Sequence, residues 1–302
     1  MERFESLPTE ETPLPQEDSW EGETALAEAT PIDWGATMSY FEALFARNPS
    51  DAEVRALSES LSEMYPGDKE TITALAELPG FFATERDLEE SRRMEEMGYL
   101  SKEARKEEYR KRMRLVERLT EYQFLLTDLI VRSKDREYLL RFWDSTEKLA
   151  AIDHSQPEMG KMKDAVLSQA AIYLLFDELG KHPRLSHPKE DAFNAIDLWT
   201  DDHQAIQVKG APKSETFEVV PAADTIAFPG IAFADGQKTK HYNSYITAER
   251  QYLRAKLDHY AKATNQEIEG YLMVIPRNRR DQVTGQPDAS IVEAARGVFA
   301  KD

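Results

Sequence analysis

Asp197 lies in the run Ala195-Ile196-Asp197-Leu198-Trp199, and Gln207 and Lys209 lie in Ala205-Ile206-Gln207-Val208-Lys209. A carboxylate, an amide oxygen and an ammonium make a set that suits a divalent cation and a phosphate. Hard cations take oxygen ligands, and lysine is a compact positive charge. Ile196 and Leu198 flank Asp197, and Ile206 and Val208 flank Gln207. That alternation is the pattern of a half-buried strand. Thr200-Asp201-Asp202-His203 between the runs supplies turn chemistry, so the two read as a β-hairpin. Gln207 and Lys209, two residues apart on a strand, share a face, and the hairpin twist can carry Asp197 toward it. A plainer reading stands beside this one. Asp197 and Lys209 could form a surface ion pair of small energetic value, with Gln207 an ordinary polar residue of an edge strand.

The elements around the hairpin must position these groups. Lys161 to Leu179 has the spacing of an amphipathic helix, ended by Gly180. Thr216–Val220 and Thr225–Phe228 are further strand candidates, and Pro229-Gly230 and Asp235-Gly236 are turns. Tyr245 to Ala263 reads as a helix, Gly270–Ile275 as a short buried strand, and Ile291–Ala300 as a closing helix. Helix, strands, helix, strand, helix predicts an α/β or α+β layer around one sheet.

The first half reads differently. Residues 1–34 are rich in Pro, Glu, Thr and Ser, with little to bury, and are expected to be a disordered acidic tail. Residues 35–153 carry helical periodicity. Ser50-Asp51-Ala52-Glu53 is a capping box, Pro66-Gly67 and Pro79-Gly80 are stops, and Ser101 and Asp135 stand where caps belong. The spacing predicts a short helix over 69–78, ended by Pro79-Gly80, and another over 85–97. Lys102, Arg105, Lys106, Arg110, Lys111, Arg112, Arg114 and Arg118 form the most basic stretch. Glu103, Glu107 and Glu108 lie among them at ion-pairing spacings. Either a solvated helix face or a phosphate-backbone contact would account for it.

Composition bounds the rest. The 302 residues carry a formal charge of -18, so any nucleic-acid role needs a local basic patch rather than overall charge. Cysteine is absent, which removes disulfides, thiolate zinc sites and cysteine nucleophiles and fits a reducing, cytoplasmic setting. No apolar run reaches the roughly 20 residues of a membrane span. The six histidines form no ligand pattern and no glycine-rich phosphate loop is present. Arg277, Arg279 and Arg280 follow the last strand, where they would grip phosphates or form a solvated loop, and Lys209 and Lys213 would extend that patch.

Asp197, the Gln207-Val208-Lys209 triplet and this element order together resemble the PD-(D/E)xK nuclease superfamily, over roughly residues 160–276. The closest likeness is to its Holliday-junction-resolvase-like branch. The resemblance implies a restriction-endonuclease-like core over residues 154–302, with a central mixed sheet flanked by helices. It also implies a nuclease that hydrolyses DNA phosphodiesters with Mg2+ or Mn2+. Asp197, Gln207 and the Val208 carbonyl would hold the cation, Lys209 would orient the attacking water, and Gln169 would take the place of a helix glutamate. A homodimer is expected by the same resemblance. Two departures matter: Gln207 and Gln169 stand where the family has glutamates, leaving Asp197 as the one matched carboxylate. Glu178, Asp164, Glu190 or Asp191 would have to supply a second acid. On the second helix, Lys256 and Tyr260 fit poorly to a Gln and Tyr pair found in relatives. The alternative is a catalytically inactive nuclease fold that binds nucleic acid, or that binds proteins through its helical region and acidic tail.

Overall fold

Among the described residues, six α-helices precede the first strand. In the computed structural model, which describes residues 30–97, 101–133, 135–211, 216–223 and 236–299, these are α1 (Trp34–Phe45), α2 (Asp51–Met64), α3 (Lys69–Glu96), α4 (Lys102–Arg132), α5 (Arg136–Ile152) and α6 (Gln156–Glu178). Their starts follow local chemistry. The Ser50 hydroxyl accepts the Glu53 N–H, and the Glu53 carboxylate accepts the Ser50 N–H at 2.9 Å. Ser101 and Asp135 cap α4 and α5 by accepting first-turn N–H groups, without the reciprocal bond. The expected acidic tail lies outside the described residues as far as residue 29, and Ile32 is already buried.

Pro79-Gly80 does not stop a helix. α3 runs through it as one helix of 28 residues. A proline inside a helix costs about 3 kcal/mol through its missing N–H and its clash with the preceding turn. Leu75, Leu78, Phe81 and Phe82 on either side are all buried, and each such side chain is worth roughly 1.5–3 kcal/mol. Continuity keeps all four in one core, which outweighs the proline.

The sheet has five strands in the order β1-β2-β3-β5-β4: β1 (Arg184–Leu185), β2 (Leu198–Trp199), β3 (Gln204–Ala211), β4 (Glu218–Pro221) and β5 (Glu269–Pro276). β1, β2 and β3 form an antiparallel meander, β5 pairs parallel to β3, and β4 pairs antiparallel to β5. The short helix α7 (Pro188–Asn194) sits between β1 and β2, α8 (Gly236–Thr264) between β4 and β5, and α9 (Ala289–Phe299) follows β5. The molecule is therefore mixed α/β, with a helical N-terminal region and a mixed sheet. Lys213 and the strand candidate 225–228 lie outside the described residues.

Helices cover both faces of the sheet. Ala171, Ile172, Leu175 and Phe176 of α6 and Ile291, Val292 and Ala295 of α9 pack on Leu198, Ile206 and Met273. Ile246, Leu253 and Leu257 of α8 pack on Trp199, Ala205 and Leu272. α6 also serves a second core. Its first half, from Met159 to Ala170, packs with α1 to α5, so one continuous helix joins the helical layer to the sheet. No helix among the described residues is long and apolar enough to cross a membrane.

Candidate functional site

Asp197 stands just before β2, at a break in its ladder. Leu198 is the partner of Ile206, yet the Asp197 N–H also donates to the Ile206 carbonyl, at 2.8 Å. Two residues facing one is the geometry of a β-bulge, which re-aims side chains. The two flanks agree: Ile196 packs on the α8 side and Leu198 on the α6 side, although strict alternation would put them together. At the bulge the Asp197 carboxylate replaces a backbone acceptor and takes the Val208 N–H at 2.6 Å. The N–H and C=O of one strand residue point to the same edge, so the Val208 carbonyl shares that edge with Asp197.

Three elements deliver the other groups. Gln169, on α6, donates its amide to the Asp197 carbonyl at 3.3 Å and to the Asp197 carboxylate at 3.4 Å. The Gln169 carbonyl accepts the Thr127 hydroxyl of α4 at 2.8 Å, which fixes the amide's orientation. A carboxylate at this position would face Asp197 with like charge, whereas the amide offers it a donor. Gln207 and Lys209 share the α8 face of β3. Lys209 pairs with Glu249 of α8 at 2.9 Å, and the Gln207 side-chain oxygen is buried without a hydrogen-bond partner among the described residues.

Asp191 of α7 and Glu249 of α8 are the acids that interact electrostatically with Asp197. Burial pushes the Asp191 carboxyl well above its usual range, and the charge of Asp197 adds to the rise against the pull of Lys209. Burial likewise pushes Asp197 up to about 6, opposed by the Val208 N–H and Lys209 and reinforced by Glu249. Burial would lower the Lys209 pKa, but Tyr245, the hydrogen bond to Glu249 and the charge of Asp197 together hold it above the ordinary value. Lys209 is thus an ammonium throughout the neutral range.

The other second-acid candidates are engaged elsewhere. Asp164 holds Arg280, and Glu190 accepts the backbone N–H of His187 at 3.2 Å as half of a capping box. Glu178 is exposed at the end of α6. On α8, Lys256 lies over the Tyr252 ring, and Tyr260 touches Trp199 and Glu190, so neither reaches the Asp197 group. The helix contributes Tyr245 and Glu249 instead, one turn apart.

The arginines after β5 divide. Arg277 and Arg279 are exposed enough to meet solvent, within 3.6 Å of Asp164 and 3.5 Å of Asp288 respectively. Arg280 is buried, 5% exposed, with one guanidinium nitrogen on the Asp164 carboxylate, the Asp164 carbonyl and the Ser168 hydroxyl. It braces α6 from inside and cannot grip an external phosphate. Extended backbone at Arg280, bridged to Pro287, turns its side chain inward away from its neighbours.

Sequence reasoning singled out Asp191 only as one of several acids and missed α7, Tyr245 and Glu249. The signal for α7 was present: Pro188 at a first helical position and Glu190 three residues after His187. Tyr245 and Glu249 carried only the one-turn spacing common to any helix.

The oxygen donors available to a cation are the Asp197 and Asp191 carboxylates, the Gln207 amide oxygen and the Val208 carbonyl. Among the described residues, no three His, Asp or Glu side chains form a metal-binding group. Two carboxylates with amide or carbonyl oxygens are still a donor set that a hard cation accepts when water and phosphate supply the rest.

The raised carboxyls make a pH prediction for protein kept in chelator. Asp197 binds its proton more tightly folded, at about 6, than unfolded, where the ordinary value is 3.8. Its contribution to stability is therefore full below about pH 4 and is lost as pH rises through 6. Asp197→Asn removes that loss. Its melting temperature should gain on the parent by a few degrees between pH 4.5 and 7.5, at about 2–4 °C per kcal/mol for a chain of this size class. A constant difference across that range would show that Asp197 does not titrate there.

No family model, no curated protein and no solved structure matches the chain.

Proposed function

We propose that this protein is a metal-dependent nuclease that hydrolyses DNA phosphodiesters at the Asp197 group. The observation that carries the reading is the buried Asp197 carboxylate held by the Val208 N–H and the Gln169 amide, within the electrostatic reach of Asp191 and Lys209. The element order supports it: α6, a β1-β2-β3 meander, α8 and β5 follow the order that the PD-(D/E)xK resemblance implies. Asp191, Asp197, Gln207 and the Val208 carbonyl would hold Mg2+ or Mn2+. When bound, such a cation lowers the pKa of a coordinated water and offsets charge on the phosphate.

The chain's own residues have separable tasks. Lys209 stays charged, so it acts on phosphate charge and on water orientation rather than as a base. Glu249 holds the ammonium in place at 2.9 Å. Thr127 and Gln169 hold Asp197 from the helical layer.

A second reading is favoured by specific contacts: the Asp197 carboxylate is engaged by Val208 and Gln169, and Lys209 by Glu249. On that reading the fold is a catalytically inactive module for nucleic acid or protein. The two readings part on a cation titration at pH 7.5 followed by thermal melting and by cleavage of single-stranded, duplex and branched DNA. The nuclease reading expects millimolar Mg2+ or Mn2+ to raise the melting temperature by several degrees, since binding at 100 times Kd adds about 2.7 kcal/mol. It also expects Asp197→Asn to abolish the rise. An unchanged melting temperature with no cleavage of any substrate would leave the binding module standing.

A further inference from the structure

α4 carries an unpaired basic stripe. Lys106, Arg110, Lys111 and Arg114 are all exposed, and none forms an ion pair or hydrogen bond with a described residue. Glu103, Glu107 and Glu108, spaced to neutralise them, leave them free. Elsewhere on α4 arginines do find acids, Arg112 with Glu95 and Arg132 with Asp128 at 2.8 Å. In a chain with 56 acidic and 38 basic residues, four cations without acid partners among the described residues, within nine positions of one helix, are a departure.

The stripe points toward the Asp197 group. On a helix turning about 100° per residue, Lys106, Arg110 and Glu117 fall within about 40° of one another. Glu117 is where α7 docks, through Lys189 at 3.9 Å, and α7 carries Asp191. Ten residues beyond Glu117, Thr127 of the same helix holds Gln169. One rigid rod thus bears the stripe at one end and braces the site at the other. From Lys106 to Glu117 it spans roughly 16 Å at 1.5 Å per residue. Tyr109, 54% exposed, lies under the Arg112 guanidinium at 6.0 Å, beside the stripe.

We infer that Lys106, Arg110, Lys111 and Arg114 form a track for the phosphate backbone of the nucleic acid whose phosphodiester the Asp197 group would cleave. The inference rests on the nuclease reading for its direction along α4, but binding can be measured without cleavage. Phosphate contacts of this kind position a strand without reading its sequence.

The test is fluorescence anisotropy with a labelled 30-nucleotide DNA, single-stranded and duplex, on the full chain in chelator across a salt series. Lys106→Glu/Arg110→Glu/Arg114→Glu should weaken binding at least tenfold near 100 mM salt. It should also flatten the log–log salt slope by about 2–3, since each neutralised phosphate contributes about 0.9 in duplex DNA. Arg141→Glu/Lys148→Glu/Lys262→Glu, an equal charge change on exposed positions elsewhere, should stay within about threefold of the parent. The surface control is thus a charge change of the same size away from both α4 and the Asp197 group. Equal loss in both triple variants would overturn the track, as would an unchanged slope in the α4 variant or no DNA binding by the parent. Cleavage dependent on Lys209 could still stand in the first two cases, so failure of the track and failure of the nuclease reading are distinguishable.

Discussion

Lys209→Ala and Asp197→Ala should each slow DNA cleavage in Mg2+ or Mn2+ by about 10²–10³-fold or more, the usual cost of removing one preorganised charge from a site of this kind. The two losses should differ in origin. Asp197→Ala removes a cation ligand and the acceptor of the Val208 N–H, so it should also abolish cation-dependent stabilisation. Lys209→Ala leaves every oxygen donor in place and should keep cation binding while losing turnover. It also leaves Glu249, Asp197 and Asp191 without their shared counter-charge, so some loss of melting temperature is expected near neutral pH. Single-turnover cleavage with excess enzyme, alongside melting curves for both variants, separates these effects. Full activity in both purified variants would remove the hairpin from the chemistry.

Arg280→Met should cost about 3–5 kcal/mol, the range for breaking a buried pair by deleting one partner. For a chain of this length that is on the order of 10 °C in melting temperature. Removing the guanidinium leaves the mostly buried Asp164 carboxylate without its main partner, although Arg277 at 3.6 Å moderates the loss toward the lower end. Restoring charge balance should restore stability. Arg280→Met/Asp164→Leu removes both ions, including a guanidinium with two nitrogens that already lack hydrogen-bond partners, and should recover much of the loss. Chemical denaturation of the two variants reads this directly. A single variant as stable as the parent would show that Asp164 is well enough hydrated to stand alone.

The hairpin was readable because alternation is enforced by burial on one face: Ile206 and Val208 point to α6 while Gln207 and Lys209 point to α8. β5 was readable as a short apolar run because it is buried on both faces. The caps at Ser50, Ser101 and Asp135 are local chemistry and lie where the sequence put them. The misreadings share a cause. Pro79 and the bulge at Asp197 are places where long-range packing overrides a local rule, and the flanking residues alone do not reveal it. Arg277, Arg279 and Arg280 are chemically alike in sequence, and only the return of the chain against α6 turns one of them inward. Asp191 and Glu249 lie on helices whose approach to Asp197 depends on how β1 to β5 are ordered, which no short stretch encodes.

The placement of β5 bears on synthesis. This strand is made some sixty residues after β3, yet it lies between β3 and β4, paired to β3 along all eight of its residues. Until residues 269–276 have emerged, β3 lacks its parallel neighbour, and the α8 face that carries Glu249 has no Leu272 or Val274 to pack on. At about 5–20 residues per second, translation leaves a window of several seconds between Lys209 and the strand that secures it. Nascent chains in that window carry the contacts of Asp197 with Val208 and Gln169, but β3 is open on the side that β5 will cover. Chains that stop short of β5 therefore lack the apolar floor that seats α8, and with it Glu249, against Lys209.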